Sequence, residues 1–455
     1  MNEKSPGILH TFLKLFTDIR PGEATTAILL MLNVYLLLMA YYIIKPVRDA
    51  LMLEEWPPEI KNYLSAAIAV LLVFAVKLFS SIASKFSRQH LITWVTLFFI
   101  SNLILFYALH LGGIGPGAMG IIFYIWVSIF NVIVVAQFWG FANDIYTEEA
   151  GKRMFPLIAF GATFGGYSGG KITDLLVVPL GTFQLMLVAG GILGICILMT
   201  WIIHKREIKK KEQKDIQTDR GKELGKIDEE KPIEKGGAFR LVFKKKYLLY
   251  IAFFVLLLNF VNTNGVYMLD TVAKNSAIQA VEAGTAGGLD VGQYLTKFFA
   301  SFYNIMNLFA MFVQLFIVSR IFKWFGVRTA IFILPVLAFG GYFALSFGAA
   351  LVLVRWVKVL DNGLDYSLMN TTRHSLYLIT PRIEKYKAQA VTKTFFHRAG
   401  DVLSAALVFL GTTFLAFKIE NIAMVNVVLI LIWIYLGVKI FKEHKRLSAQ
   451  QPPMV

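Results

Sequence analysis

Residues 41 to 53 read YYIIKPVRDALML. An apolar helical pattern runs into this stretch from about residue 26, and Lys45, Arg48 and Asp49 interrupt it before the chain turns apolar again. Whether these charges close a membrane span or work inside one governs how the rest of the chain is read.

The surroundings are membrane. The 455 residues are 57% hydrophobic with 39 Phe, and the mean hydropathy of +0.62 is far above that of a soluble core-and-surface protein. A span needs about 20 mostly apolar residues to cross about 30 Å of hydrocarbon. Twelve such segments can be placed, at about 26–44, 60–82, 91–110, 119–143, 155–177, 182–203, 247–269, 294–319, 329–349, 351–373, 388–416 and 422–441. The expected fold is therefore an all-α membrane protein with about twelve transmembrane helices in two six-helix halves, major facilitator-like. No cleavable signal peptide is expected, because the first apolar run is too long for one. The single Cys196 excludes an intramolecular disulfide.

Numbering the connections alternately, one set carries only five cations, Lys45, Arg48, Lys61, Lys274 and Lys418. The other set, with both termini, carries many more, so the termini are expected to be cytoplasmic. The stretch 204–246 holds 15 Lys and Arg with acids interspersed. It reads as a solvated cytoplasmic linker rather than a nucleic-acid patch, dividing an N-terminal half, 1–203, from a C-terminal half, 247–455. The halves echo each other: Glu149, Lys152 and Gly165 recur as Glu384, Lys387 and Gly400 at the same offsets. A multi-pass integral membrane protein is the expected setting.

An ionisable residue inside a span costs about 2.5–3.5 kcal/mol on insertion scales, which makes it a functional candidate. Lys77, Lys171, Lys297, Arg355, Lys358 and Arg398 lie in expected spans. Arg355, Lys358, Asp361 or Asn362, and Asp365 follow at helical steps, a polar stripe expected to face a wet cavity. Asn259, Thr263, Tyr267 and Asp270 form a second stripe. Lys297, Ser301, Asn304, Asn307 and Gln314 form a third. Interhelical hydrogen bonding is the competing reading for the amides and hydroxyls.

GGYSGGKI at 165–172 nearly spells a phosphate loop, but Ile172 stands where a metal-binding hydroxyl belongs and no strand precedes the turn. As a helix, Gly161, Gly165 and Gly169 form a small-residue packing stripe, with Thr163, Tyr167, Lys171 and Asp174 on the opposite side. No nucleophile–base or metal-ligand set is recognisable, so neither an enzyme nor a cofactor is expected. The buried cations point to an anionic small molecule.

Three stretches, IIKPVRDALML, FWGFANDIYTEEAGKRMF and DNGLDYSLMNTTRHSLYLITPRIEKYKAQAV, resemble the non-mitochondrial ATP/ADP translocases, a nucleotide transporter family. The resemblance implies nucleotide exchange by alternating access. It implies roles for Lys45, Arg48 and Asp49 in span one, with Arg48 where the family usually has lysine, and for Asp144 where glutamate is usual. The family's later acid falls on Tyr267, with Asp270 one turn on, and its late basic residue falls on Asp401, with Arg398 three residues before.

The expected substrate-binding set is therefore Lys45, Arg48, Asp144, Arg355, Lys358, Asp365 and Arg398, with Asp49, Asp270 and Asp401 for gating or coupling. Asp144 and Asp365 are expected to pair with the cations when the site is empty. Tyr41, Tyr267 and Trp139 are candidates to stack on a base. A carrier of another organic anion, proton-coupled, is the alternative, and a membrane scaffold without transport is a third reading. Oligomeric state is not legible.

Overall fold

The computed structural model describes residues 24–83, 88–146, 148–218 and 237–449. The residues before Ala24, the basic turn at 84–87, the linker centre at 219–236 and the Lys77 side chain lie outside them. All regular structure among the described residues is helical.

The N-terminal sequence folds as α1 (Ala24–Glu55), α2 (Pro58–Ala83), α3 (Arg88–Leu111), α4 (Pro116–Ile145), α5 (Glu148–Leu180) and α6 (Gln184–Thr218). The short α7 (Ala238–Lys244) then leads into α8 (Lys246–Glu282), α9 (Val291–Phe312), α10 (Val318–Leu345), α11 (Leu351–Leu364), α12 (Asn370–Leu376), α13 (Arg382–Val391), α14 (His397–Phe414) and α15 (Ile419–Ala449). Three π-helical turns, Val313–Ile317, Asp365–Met369 and Thr392–Phe396, join α9 to α10, α11 to α12 and α13 to α14.

Proline and glycine punctuate these helices where backbone chemistry requires. Pro58 and Pro116 open α2 and α4, positions where the missing N–H has no helical partner to lose. Asp290 and Gln293 form a reciprocal capping box at the start of α9. Gly326, at φ +73°, breaks the long run Val291–Leu345 in two. Seven segments among the described residues are long and apolar enough to cross a membrane, and this 55-residue run is one of them.

Two compact units divide the chain. Unit 1 holds the described residues up to Met52, those from Leu72 to Lys231, and Thr296–Asn304; unit 2 holds Leu53–Leu71, the described residues from Pro232 to Leu295, and those from Ile305 onward. Parts of α2 and α9 thus fall in each.

In unit 1, α1 is clamped on two sides. Asn33 Nδ2 donates to Thr200 Oγ1 of α6 at 2.9 Å. On the other flank, a Cβ added at Gly161, Gly165 or Gly169 of α5 would fall on the backbone oxygens of Met31, Tyr35 and Met39. The small-residue stripe is therefore a helix seam, as its period implies. On the far side of α5, Lys171 Nζ lies 3.7 Å from Asp174.

In unit 2, α8 is the central post, packed by α11, α14 and α15. Its polar stripe is consumed by neighbouring helices. Asn259 Nδ2 and Thr263 Oγ1 donate to Asp401 Oδ1 at 2.8 and 2.9 Å. Tyr267 Oη donates to Glu59 at 2.6 Å, and Asp270 accepts from Lys61 Nζ at 2.8 Å. This stripe is a hydrogen-bonded seam, which is why an apolar helix can carry it.

Candidate anion-binding site

Helix α1 runs unbroken through Pro46 to Glu55, so Lys45, Arg48 and Asp49 keep their steps of three and four and share a face. They are inside protein rather than in an interfacial loop: Lys45 is 9% exposed and Asp49 0%. Within unit 1, aromatic rings surround the cations. Lys45 Nζ lies 3.9 Å from the Tyr303 ring centre, 5.1 Å from Tyr42 and 5.8 Å from Tyr41. The Arg48 guanidinium lies 4.8 Å from the Tyr124 ring.

Asp49 is the carboxylate of this group. Its Oδ1 accepts from Arg48 Nε at 3.0 Å and Nη2 at 2.7 Å, and its Oδ2 accepts from Tyr303 Oη at 2.6 Å. Ring faces attract a cation without cancelling its charge. Lys45, Arg48 and Asp49 together keep a formal charge of +1, held out of water. Next to Tyr303, the buried Asn304 Oδ1 has no hydrogen-bond donor among the described residues. The arrangement offers two cations, an acceptor and flat rings to an anion that carries polar and planar parts.

The remaining expected residues distribute differently. Asp144 is exposed near the C-terminal end of α4, 20 residues beyond Tyr124, which is about 30 Å along a helix. It does not meet Lys45 or Arg48 in this conformation; Arg48 is answered by its neighbour Asp49 instead. Asp365 lies with Arg373, whose Nη2 stands 3.2 Å from Asp365 Oδ1. That contact is one of charge only, since Asp365 Oδ1 makes no hydrogen bond among the described residues.

The stripe on α11 departs from expectation at Lys358. Expected to face a wet cavity, it is 0% exposed. Its Nζ donates to Asp361 Oδ2 at 2.6 Å and to the backbone oxygen and Oδ1 of Asn262 on α8 at 3.2 and 2.5 Å. Tyr342 Oη of α10 donates to the same Asp361 oxygen at 3.2 Å. Lys358 and Asp361 thus satisfy each other inside a three-helix junction, and helical period alone could not foresee the partner on α8. Arg355 is half-buried on the same helix.

Arg398 Nη1 lies 3.3 Å from Asp401 Oδ2, and Asp401 also holds α8 as described. Asp270 is closed by Lys61. Of the candidate stacking rings, Tyr267 is engaged with Glu59, Trp139 packs edge-on against Phe138 and Phe155, and Tyr41 lies over Phe130. Tyr124 and Tyr303, which frame the cations, were not legible in the sequence: Tyr303 reaches Asp49 across a separation of 254 residues.

The order of long apolar helices is that of a multi-pass membrane protein, and solved structures of transporters share the fold. The nucleoside transporter NupG superposes with a TM-score of 0.62 at 13% identity, over 92% of this chain and 99% of that one. The POT family transporter PepTSo does so with a TM-score of 0.59 at 12% identity, over 94% and 99%.

Residues 119–444 match the TLC ATP/ADP transporter family, and the chain belongs to it. Among similar proteins are ADP,ATP carrier protein 4 of Rickettsia bellii, 22% identical over 71% of this chain and 67% of that one, and ADP,ATP carrier protein 3 of the same species, 23% identical over 71% and 70%. The family match begins after α1, the helix that carries Lys45 and Arg48.

Proposed function

We propose that the protein exchanges adenine nucleotides, ATP against ADP, across a bacterial inner membrane by alternating access. In this reading twelve spans form two six-helix halves, 1–203 and 247–455, around the linker 204–246, with both termini in the cytoplasm. The observation that carries it is the buried Lys45 and the partly buried Arg48, set against tyrosine faces with Asp49 as the carboxylate beside them. Membership of an ATP/ADP transporter family and similarity to proteins named ADP,ATP carriers support the choice of nucleotide.

Phosphate oxygens take charge-assisted hydrogen bonds from Lys45 and Arg48, which are stronger than neutral ones. When phosphate leaves, Asp49 and Tyr303 hold the cations, so neither state strands a bare charge. Asn304 Oδ1 accepts from a sugar hydroxyl or a base amino group. Arg355 and Arg398 add positive charge along the path, while Asp144, Asp365, Asp270 and Asp401 stabilise the empty states. Release follows by alternating access.

Counter-flow tests the proposal. Proteoliposomes loaded with ATP accelerate uptake of labelled ADP relative to empty ones; absence of acceleration by every nucleotide would refute it. A proton-coupled carrier of another organic anion is the second reading, favoured by the buried, unbonded Asp365 Oδ1. It requires uptake to collapse with the pH gradient and to ignore internal ATP.

A further inference from the structure

Unit 2 contains a cavity of about 260 Å³. Arg373 and His374 of α12, Lys393 of the π-helical turn Thr392–Phe396 and His397 of α14 line it, with Gln389 and Tyr377. Four nitrogen bases thus converge on one space. The acids beside them are Asp365, which touches Arg373 without hydrogen-bond geometry, and Asp401, one helical turn beyond His397 and paired with Arg398. Arg373 therefore keeps donors for another acceptor. Among the described residues, Lys393 Nζ makes no ion pair.

Two further observations point to a ligand. Among the described residues Gln389 Nε2 is buried without an acceptor, and an unmatched buried amide costs about 1–3 kcal/mol unless something fills the role. Both helical runs that line the cavity are also broken there. The π turn Asp365–Met369 immediately precedes Asn370 and Arg373, and Thr392–Phe396 contains Lys393. Single π turns inside α-helices concentrate at functional sites, because the extra residue re-aims the side chains around it.

Size and charge choose the ligand. Sites for drug-sized molecules run to about 300–1,000 Å³ and are mostly apolar. This cavity is smaller, and on its largely apolar wall the groups that can bind a charge are Arg373, Lys393 and Gln389, so it suits the phosphate chain and not the base and sugar. We infer that the cavity between Arg373, Lys393 and Gln389 is a polyphosphate subsite, distinct from the cluster on α1. The inference rests on the nucleotide reading only for what is attached to the phosphates. Arg373 grips two oxygens with its planar fork, Lys393 places a point charge, Gln389 Nε2 donates to a third oxygen, and Asp365 takes Arg373 back when the phosphates depart.

The test measures thermal stabilisation and equilibrium binding of the purified full-length protein with ATP, AMP, adenosine and inorganic triphosphate. A ligand that binds only the folded state must raise its stability. Arg373→Gln and Lys393→Gln each weaken ATP and triphosphate by about tenfold or more, adenosine stays unchanged, and Lys393→Arg restores most of the loss. Lys393 is exposed, so its variants keep the test valid if Arg373→Gln fails to fold. If ATP and triphosphate bind the variants as tightly as the natural protein, the subsite is overturned and the nucleotide reading survives. If triphosphate binds through Arg373 and Lys393 while no nucleotide does, the subsite stands and the nucleotide reading falls. Failure of the natural protein to bind any phosphate probe overturns the subsite outright.

Discussion

The phenol of Tyr303 donates to Asp49 Oδ2 across 2.6 Å, while its ring face covers Lys45 at 3.9 Å. One side chain therefore serves both signs of charge. Tyr303→Phe keeps the ring and removes the donor, leaving Asp49 to lean harder on Arg48. A hydrogen bond to a charged group contributes about 1.5–3 kcal/mol. The expected result is roughly tenfold weaker ADP uptake at low substrate, with the protein still folded. Unchanged apparent affinity would show that the tyrosine is packing only.

Lys358 and Asp361 form a buried pair closed by Asn262 and Tyr342. Lys358→Met strands a buried carboxylate and should cost about 3–5 kcal/mol. The double change Lys358→Met with Asp361→Leu removes both charges and should recover most of the stability, measured by thermal unfolding. Transport should recover with it. A stable double variant without transport would return Lys358 to the substrate path.

Lys61 and Asp270 meet at 2.8 Å with both side chains buried. Asp270→Asn should lower the unfolding temperature and slow exchange. Exchanging the two, Lys61→Asp with Asp270→Lys, should restore both measurements in large part. Failure of the exchanged pair, with correct folding, would show that the carboxylate is needed at its own position.

Gly165 sits where a Cβ would enter the Tyr35 backbone. Gly165→Ala should destabilise by about 1–3 kcal/mol through overpacking. Gly191, with open space around its Cα, is the internal control: Gly191→Ala in α6 should gain about 0.5–1 kcal/mol from lower backbone entropy cost. Equal effects at both sites would remove the close-packed seam from the account.

The helices were legible because twenty-residue apolar runs leave few alternatives, and Gly161, Gly165 and Gly169 announced their seam by period alone. Lys45 and Arg48 stood out as cations on the sparsely charged side. Their tyrosine partners did not, since nothing local in the sequence points to contacts made hundreds of residues away. Arg373 and Lys393 carry no such signal, for a different reason. They lie near span ends on the richly basic side, where charge is ordinary, and the π turns that aim them leave no periodic mark. Lys358 misled because helical spacing placed it beside Asp361 but was silent about Asn262, whose oxygens close the network.

If Lys45 and Arg48 grip a transported nucleotide, transport must depend on both. The direct measurement is labelled ADP uptake into ATP-loaded proteoliposomes, comparing the natural protein with Arg48→Ala and Lys45→Ala at matched insertion. Strong counter-flow in the natural protein, lost by tenfold or more in both variants while thermal unfolding persists, is the expected result. Counter-flow that survives both substitutions would contradict the account.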